Sequence, residues 1–184
     1  GVEVTLNWEQ KFGDFRYSIS PNFAFARNKV IEMLEVPPMY EYLSRTGLPV
    51  GQPFGYDLFE FYEQGATEER YFEKYGVEMP DQNVALKNGD AVYVDLNGDG
   101  IVDQNDQKPL GYTDNPEITY SVNFNFQWKG LDFTMLWIGA EHVSRQLNGY
   151  FRDQFGSTNT SALTQWVADN SWTVDNTDAI LPRI

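Results

Sequence analysis

The residues best suited to chemistry lie in one acidic stretch, residues 95–106, which reads DLNGDGIVDQND. Counted from Asp95 as position 1, side-chain oxygens fall at positions 1, 3, 5, 9 and 12, and position 6 is glycine. This is the spacing of an EF-hand calcium loop, in which a sharp turn gathers hard oxygen ligands around the ion. The predicted ligands are the side chains of Asp95, Asn97, Asp99, Asp103 and Asp106 and the backbone carbonyl of Ile101.

The acidic stretch departs from the EF-hand pattern at its last position, where Asp106 stands in place of glutamate. The shorter aspartate side chain coordinates an ion through both oxygens less readily than glutamate, so a weaker affinity for Ca²⁺ is expected. No amphipathic helix is predicted on either side of it. We therefore predict a single EF-like Ca²⁺ loop, and the alternative is an Asx-rich surface turn that holds itself without metal.

Other kinds of chemistry are disfavoured by composition. The chain has no cysteine and one histidine, His142, which has no nucleophile motif around it. Carboxylates are abundant, but none has a spacing that assigns acid and base roles. The formal net charge of −14 would repel nucleic acid. We predict no catalytic residue, no enzyme activity and no nucleic-acid partner.

Four runs of alternating apolar and polar residues frame the acidic stretch, and alternation is typical of strands with two unlike faces. They cover residues 2–9, 15–26, 118–128 and 131–138, and the last run loses its alternation at Leu136 and Ile138. Short turns at residues 11–14 and 129–130 join the runs in pairs. The polar positions are mostly Ser, Thr, Asn and Gln, as expected for a strand face that lines a water-filled lumen. Aromatic residues collect beside the turns, namely Trp8, Phe12, Phe15, Phe126, Trp128 and Phe133.

Short turns at one end and a long connection at the other are typical of transmembrane barrels, as is an aromatic girdle. We predict an all-β fold that forms part of an antiparallel transmembrane β-barrel. Its expected parts are a strand hairpin (1–28), a long extracellular loop carrying the acidic stretch (29–117), a second hairpin (118–140) and an extracellular region (141–184). A soluble β-sandwich would also alternate and is the competing fold.

Several segments, taken in order, resemble transporters of the SusC/RagA family. They are residues 47–56 (GLPVGQPFGY), 86–90 (LKNGD), 93–100 (YVDLNGDG), 110–111 (LG), 115–120 (NPEITY), 129–133 (KGLDF) and 176–183 (NTDAILPR). Dockerins share the acidic stretch but not the segments around it. The order of residues 101–103 (IVD) differs mildly from the family's commoner V-I-D.

The resemblance implies a TonB-dependent outer-membrane transporter with a barrel of about 22 strands and an internal plug. It also implies a SusD-like surface lipoprotein as partner, energy from the TonB complex, and import of oligosaccharides or peptides. Contact with outer-membrane lipid follows. We expect the chain to be the C-terminal part of that longer protein, with the acidic loop stiffening an outer loop near the lipoprotein contact or the substrate entrance.

Two questions stay open at the level of sequence. Ten aromatic residues in the long connection could stack on sugar rings or pack against one another: Tyr40, Tyr42, Phe54, Tyr56, Phe59, Phe61, Tyr62, Tyr71, Phe72 and Tyr75. The competing function is a secreted, calcium-stabilised carbohydrate-binding or adhesion β-domain.

Overall fold

The computed structural model describes residues 1–147 and 164–184. Antiparallel strands dominate and helices are few, so the predicted all-β class is confirmed. The chain divides into two compact units. The sheet unit comprises Gly1–Val36, Arg45–Pro53 and Leu110–Arg145, and the loop unit comprises Pro37–Ser44, Phe54–Pro109 and Gln146–Ile184. None of the helices in the described residues has the length and hydrophobicity needed to cross a membrane.

The sheet unit contains one antiparallel sheet. Its strands are β1 (Val2–Thr5), β2 (Trp8–Phe12), β3 (Phe15–Phe25), β8 (Ile118–Trp128) and β9 (Leu131–Glu141). The order is β1-β3-β8-β9, and β2 also pairs with β3. The alternating runs of the sequence therefore form neighbouring strands. The two hairpins are joined by the pairing of β3 with β8, in which Phe25 lies opposite Ile118, a residue 93 positions later in the chain.

Register places most apolar positions of the strands on a single face, and the large exceptions are Leu136 and Ile138 of β9, which lie opposite Asn123 and Ser121 on the other face. Val4 lies opposite Phe23, Phe23 opposite Tyr120, and Phe124 opposite Met135. The other face carries the polar set, where the Asn125 amide donates to Ser18 Oγ at 3.1 Å and accepts from Thr134 Oγ1 at 2.9 Å. Side chains alternate between the faces with period two, so this segregation requires a register that is uniform across the strands.

Pro21 explains why the first predicted strand is split. Leu6 N–H donates to the Pro21 carbonyl at 3.0 Å, so the backbone of Pro21 faces this edge of the sheet. The reciprocal bond is missing because proline has no N–H. The register on either side of the gap is continuous, since Thr5 pairs with Asn22 and Trp8 with Ile19. The single run predicted over 2–9 is therefore two strands, and the second extends to Phe12.

The hairpin turns lie at one end of the sheet and the long connections leave from the other. Phe12 pairs with Phe15, so Gly13 and Asp14 alone form the turn, which is tighter than the predicted four residues. Trp128 pairs with Leu131 across the predicted turn at 129–130. At the opposite end, the last pairs of the sheet involve Phe25, Ile118 and Glu141.

The loop unit is richer in regular structure than the predicted loop. It holds β4 (Phe54–Gly55), β5 (Leu58–Phe61), α1 (Ala66–Tyr75), β6 (Ala91–Tyr93), β7 (Lys108–Pro109) and α2 (Gln165–Asn170). β4 pairs with β7, and β5 pairs with β6. All buried apolar residues of the described chain belong to this unit: Tyr71, Val92, Val94, Val102, Val167 and Trp172. Residues 148–163, part of the predicted 141–184 region, lie outside the described residues.

Candidate calcium loop and its surroundings

The acidic stretch follows β6 directly and ends just before β7. Its middle is attached to the chain before it, because Asp81 N–H donates to the Gly100 carbonyl at 2.9 Å and Val102 N–H donates to the Asp81 carbonyl at 2.8 Å. This short parallel bridge centres on Ile101. Both ends and the middle of the stretch are thus anchored in the loop unit, which gives the loop a defined shape.

The first half of the loop is folded by its own carboxylates. Asp95 accepts from the N–H groups of Gly98 at 2.6 Å and Gly100 at 2.8 Å, one on each oxygen. Asn97 Oδ1 accepts from Asp99 N–H at 2.8 Å, and Asp99 Oδ1 accepts from Ile101 N–H at 3.0 Å. Both Gly98 and Gly100 have positive φ, which glycine adopts without strain. These successive Asx turns coil the backbone around the side-chain oxygens.

Asp106 closes the loop from inside. Its carboxylate is fully buried and accepts three backbone N–H groups, from Leu96 at 2.8 Å, Asn97 at 3.3 Å and Asp103 at 2.8 Å. The bond from Asp103 is half of a capping box, whose other half is the Asp106 N–H donating to the Asp103 side chain. Asp103 Oδ1 also accepts from Asn105 N–H at 2.7 Å. A short 3-10 turn, Gln104–Asp106, results.

The structure brings the six predicted ligands into one loop. Each of the five carboxylate or amide side chains, however, also accepts a hydrogen bond from a backbone N–H group. Among residues 1–147 and 164–184, no group of three or more His, Cys, Asp or Glu side chains is arranged to hold a metal ion. A carboxylate oxygen that accepts one hydrogen bond retains a second lone pair. Calcium binding therefore stays a prediction, and the Asx-turn alternative describes the hydrogen bonds seen.

Two tyrosine hydroxyl groups form hydrogen bonds with the backbone of the loop. Tyr42 Oη donates to the Asn105 carbonyl at 2.7 Å. Burial, together with the negative charge of Asp106, raises the pKa of Tyr42. Asp95 N–H donates to Tyr71 Oη at 3.4 Å, and burial raises the pKa of Tyr71. Both phenols stay protonated and neutral beside the carboxylates.

Many of the aromatic residues of the long connection pack against one another. The Phe59 ring contacts the Tyr71 ring edge-on, with ring centroids 4.9 Å apart. The ring centroids of Tyr71 and Tyr75 are 4.7 Å apart. Tyr40 and Tyr42 stack at 5.4 Å. These contacts favour the packing role over sugar stacking for the buried members of the set.

Helix α1 carries a polar cluster that the sequence reasoning missed. Arg70 pairs with Glu60 on β5 at 2.7 Å and with Glu63 at 3.1 Å. These hydrogen bonds raise the pKa of Arg70, the one to Glu60 most strongly. The helix ends at Gly76, whose left-handed backbone (φ 73°) is a common helix stop. Glutamates in the first turn and Gly76 after the last were the available signals.

A second missed cluster joins strand ends in the sheet unit. Arg27 donates to both oxygens of Glu117, at 2.7 and 2.6 Å, and His142 Nδ1 lies 3.1 Å from Glu117 Oε2. Tyr112 stacks on the His142 ring at 4.6 Å. The Arg27 hydrogen bonds lower the pKa of Glu117 more than any other cause. His142 thus has a structural partner, and the three residues follow or precede β3, β8 and β9.

No protein-family model matches the chain, and no curated protein is significantly similar to it.

Proposed function

We propose that this chain is the barrel part of a TonB-dependent outer-membrane transporter of the SusC/RagA type. The observation that carries the proposal is the sheet with one aromatic-rich face that nothing else in the sheet unit buries. Trp8, Phe133 and Trp137 on that face are all more than half exposed, and none of the strand residues of this sheet is buried. In a barrel, lipid covers such a face.

The competing β-sandwich requires a second sheet packed over the apolar face. Within the described residues, the buried apolar side chains all belong to the loop unit. A soluble sheet in this state would present Trp8, Phe12, Leu131 and Trp137 to water. The opposite face, with its Ser, Thr and Asn hydrogen bonds, suits a hydrated lumen.

The position of the turns supports an orientation. Short turns of outer-membrane barrels face the periplasm and longer connections face outside. The Gly13 and Lys129–Gly130 turns then face the periplasm, and the long connection at residues 29–117 faces outside. The whole barrel has about 22 strands and a plug in this proposal, and the TonB complex powers it.

The proposed cargo is an oligosaccharide or, alternatively, a peptide, imported together with a SusD-like surface lipoprotein. This part of the proposal rests on the ordered resemblance of segments such as 47–56, 93–100 and 129–133. A secreted carbohydrate-binding or adhesion domain would need another cover for the apolar face. We therefore place the protein in the outer membrane and assign it no catalytic role.

The function is tested in the native organism with the full-length protein. It should fractionate with the outer membrane and change its gel mobility on heating, as folded barrels do. Deleting its gene should abolish growth on one class of glycan or peptide and leave growth on monosaccharides unchanged. Recovery of the folded protein in the soluble secreted fraction would contradict the proposal.

We further propose that Ca²⁺ binds the loop at residues 95–106. In the full-length protein, calcium should slow amide hydrogen exchange in this loop relative to a chelator, because an ion shared by several oxygens rigidifies it. Asp99→Asn should abolish the effect, since it removes a ligand charge. Asp114→Asn, an exposed acid outside the loop, is the matched control. Equal exchange with calcium and with chelator would show an Asx turn without metal.

A further inference from the structure

The end of the sheet that carries the two hairpin turns brings basic side chains together. A cleft of about 500 Å³ lies between these turns. Three basic side chains and two acidic ones line it, in a chain whose formal net charge is −14. They are Lys11, Arg16 and Lys129 against Asp14 and Asp132. A local excess of positive charge is suited to an anionic ligand.

Two of the basic residues of the cleft face each other. Register places Lys11 of β2 directly opposite Arg16 of β3. Like charges at facing positions of neighbouring strands destabilise the sheet. An anion bound at this cleft would offset their repulsion.

Lys129 occupies a backbone position that lysine rarely adopts. Its φ is 46°, and the φ of Gly130 is 84°. Two positive φ angles are the pattern of a tight hairpin turn in which Asn, Asp and Gly are the usual residues. A lysine that stands here against this preference calls for a role of its ammonium group.

The ammonium group of Lys129 lies over an aromatic ring rather than beside a carboxylate. Its Nζ is 5.5 Å from the centroid of the Trp128 ring. Among residues 1–147 and 164–184, neither Lys129 nor Lys11 forms an ion pair, and Arg16 forms one, with Glu9 at 3.5 Å. An exposed pair of this kind contributes little. The three cations therefore retain donors for an oxygen-rich anion.

A row of apolar side chains adjoins the cleft. Phe12 lies opposite Phe15, Phe15 opposite Trp128, and Trp128 opposite Leu131, so the row crosses four strands. Phe12, Trp128 and Leu131 are all more than half exposed. A ligand that covers both the cleft and the row has to join an anionic group to hydrocarbon. Free phosphate would leave the row in water, whereas a phospholipid has both parts.

We propose that the cleft between the hairpin turns binds the phosphate headgroup of an anionic phospholipid, whose acyl chains lie along the apolar row. The inference rests on the proposed function, in which the turns face the periplasm and lipid covers the apolar face. It deepens that function by naming the class of lipid and by assigning its headgroup to Lys11, Arg16 and Lys129. The periplasmic leaflet of the membrane supplies the lipid.

The test measures binding of short-chain lipids to the full-length protein, purified from the outer membrane in detergent. Dihexanoyl phosphatidylglycerol should bind more tightly than dihexanoyl phosphatidylcholine, which has the same chains but no net charge. Lys129→Asn should raise the Kd for phosphatidylglycerol about tenfold, since it removes a charge-assisted hydrogen bond while asparagine tolerates the left-handed backbone. Lys87→Asn, at an exposed lysine of the loop unit, is the matched control and should leave the Kd unchanged.

A further variant separates a lipid from free phosphate. Leu131→Gln should weaken binding of phosphatidylglycerol, because it removes part of the apolar row, and should leave binding of inorganic phosphate unchanged. Lipid binding that stays the same in this variant would overturn the assignment to a lipid.

The outcomes also separate the lipid site from the proposed function. Equal Kd values for the two lipids, or for Lys129→Asn and the unaltered protein, would overturn the site while leaving the transporter intact. Absence of lipid binding by a protein that is correctly assembled in the outer membrane would overturn it too, and would indicate that an acidic protein segment already occupies the cations. A protein absent from the outer membrane would contradict the proposed function itself, which fractionation reveals before any lipid is added.

Discussion

At the scale of single residues, Asp106 has a role that its place in the motif does not reveal. The spacing assigns it to the last ligand position of a calcium loop. In the structure its buried carboxylate gathers three backbone N–H groups from two separate parts of the loop. A buried anion is tolerated when several hydrogen bonds satisfy it. Asp106 is therefore the structural centre of the loop, with or without an ion.

Asp106→Asn should loosen the loop. Asparagine replaces one acceptor oxygen with an NH₂ group, which would face backbone donors that then lack a partner. The expected cost is about 1–3 kcal/mol of loop stability, which is the penalty for an unsatisfied buried donor. Amide hydrogen exchange of residues 95–106 in calcium-free buffer measures it. Asp178→Asn, at an exposed position, is the control, and equal exchange in both variants would argue against this role.

Glu117 should make the strand-end cluster sensitive to acid. Its pKa is lowered in the folded protein, chiefly by the Arg27 hydrogen bonds. A carboxyl group with a lowered pKa contributes stability that is fully present above its unfolded pKa of about 4.3. The contribution is lost as the pH falls through the lower, folded-state value.

The prediction is read from thermal unfolding of the full-length protein and of Glu117→Gln between pH 7 and pH 3. The Tm difference between them should be largest above about pH 5 and should shrink towards pH 3. Glu78→Gln, an exposed glutamate in the loop unit, should show no such trend. A Tm difference that stays constant with pH would contradict the ionic role of Glu117.

At the scale of elements, the strands were predictable and their interruption was not. Alternation between apolar and polar residues is a local signal, so residues 118–128 could be assigned from sequence directly. Pro21 was visible too, but the bond it removes depends on which neighbour its backbone faces. Only the paired register shows that the gap falls between β1 and β2 and spares the pairing of β3 with β8.

Pro21→Val should close this gap. Valine supplies the missing N–H opposite Leu6, and the added hydrogen bond should contribute about 0.5–1.5 kcal/mol. The new amide at position 21 should be protected from hydrogen exchange. Ser20→Val, whose side chain lies on the polar face, is the control and should leave protection along residues 2–12 unchanged. Rapid exchange at position 21 would show that proline is not what splits the strand.

The loop unit was harder to predict because its order comes from packing between distant segments. Helix α1 has end signals in the sequence, yet Tyr71 is buried by contacts with β5 that no local pattern reveals. Gly89 is a similar case. A Cβ atom there would clash with the ring of Trp172, a residue far along the chain. The ligand spacing of residues 95–106 could be read locally, whereas the closure by Asp106 could not.

At the scale of the whole molecule, the two faces of the sheet should respond differently to charge. Trp137 on the apolar face and Leu136 on the polar face are neighbours in β9 and similarly exposed, at 65% and 57%. Arginine on a lipid-facing strand position costs about 2–4 kcal/mol near the membrane midplane, whereas a lumen position is tolerant. Trp137→Arg should therefore lower the amount of folded full-length protein in the outer membrane, and Leu136→Arg should not.

The heat-shifted gel band of the outer-membrane fraction measures this pair of variants. Equal loss in both would indicate that the two faces lie in similar surroundings and would contradict a lipid-covered face. Equal tolerance would contradict it as well. Because the residues are adjacent, differences in strand position or expression context do not enter the comparison.

The pairing of β4 with β7 also bears on the order in which the chain folds. Phe54 lies opposite Pro109, so β4 and β7 bring together two distant points of the long insertion between β3 and β8. Local hairpins form within microseconds, whereas distant strands must first overcome the entropy of closing the chain between them. If β4 and β7 pair early, β3 and β8 are tethered by a much shorter effective loop. The insertion would then speed up the pairing of β3 with β8, which is the slowest pairing of the sheet to form.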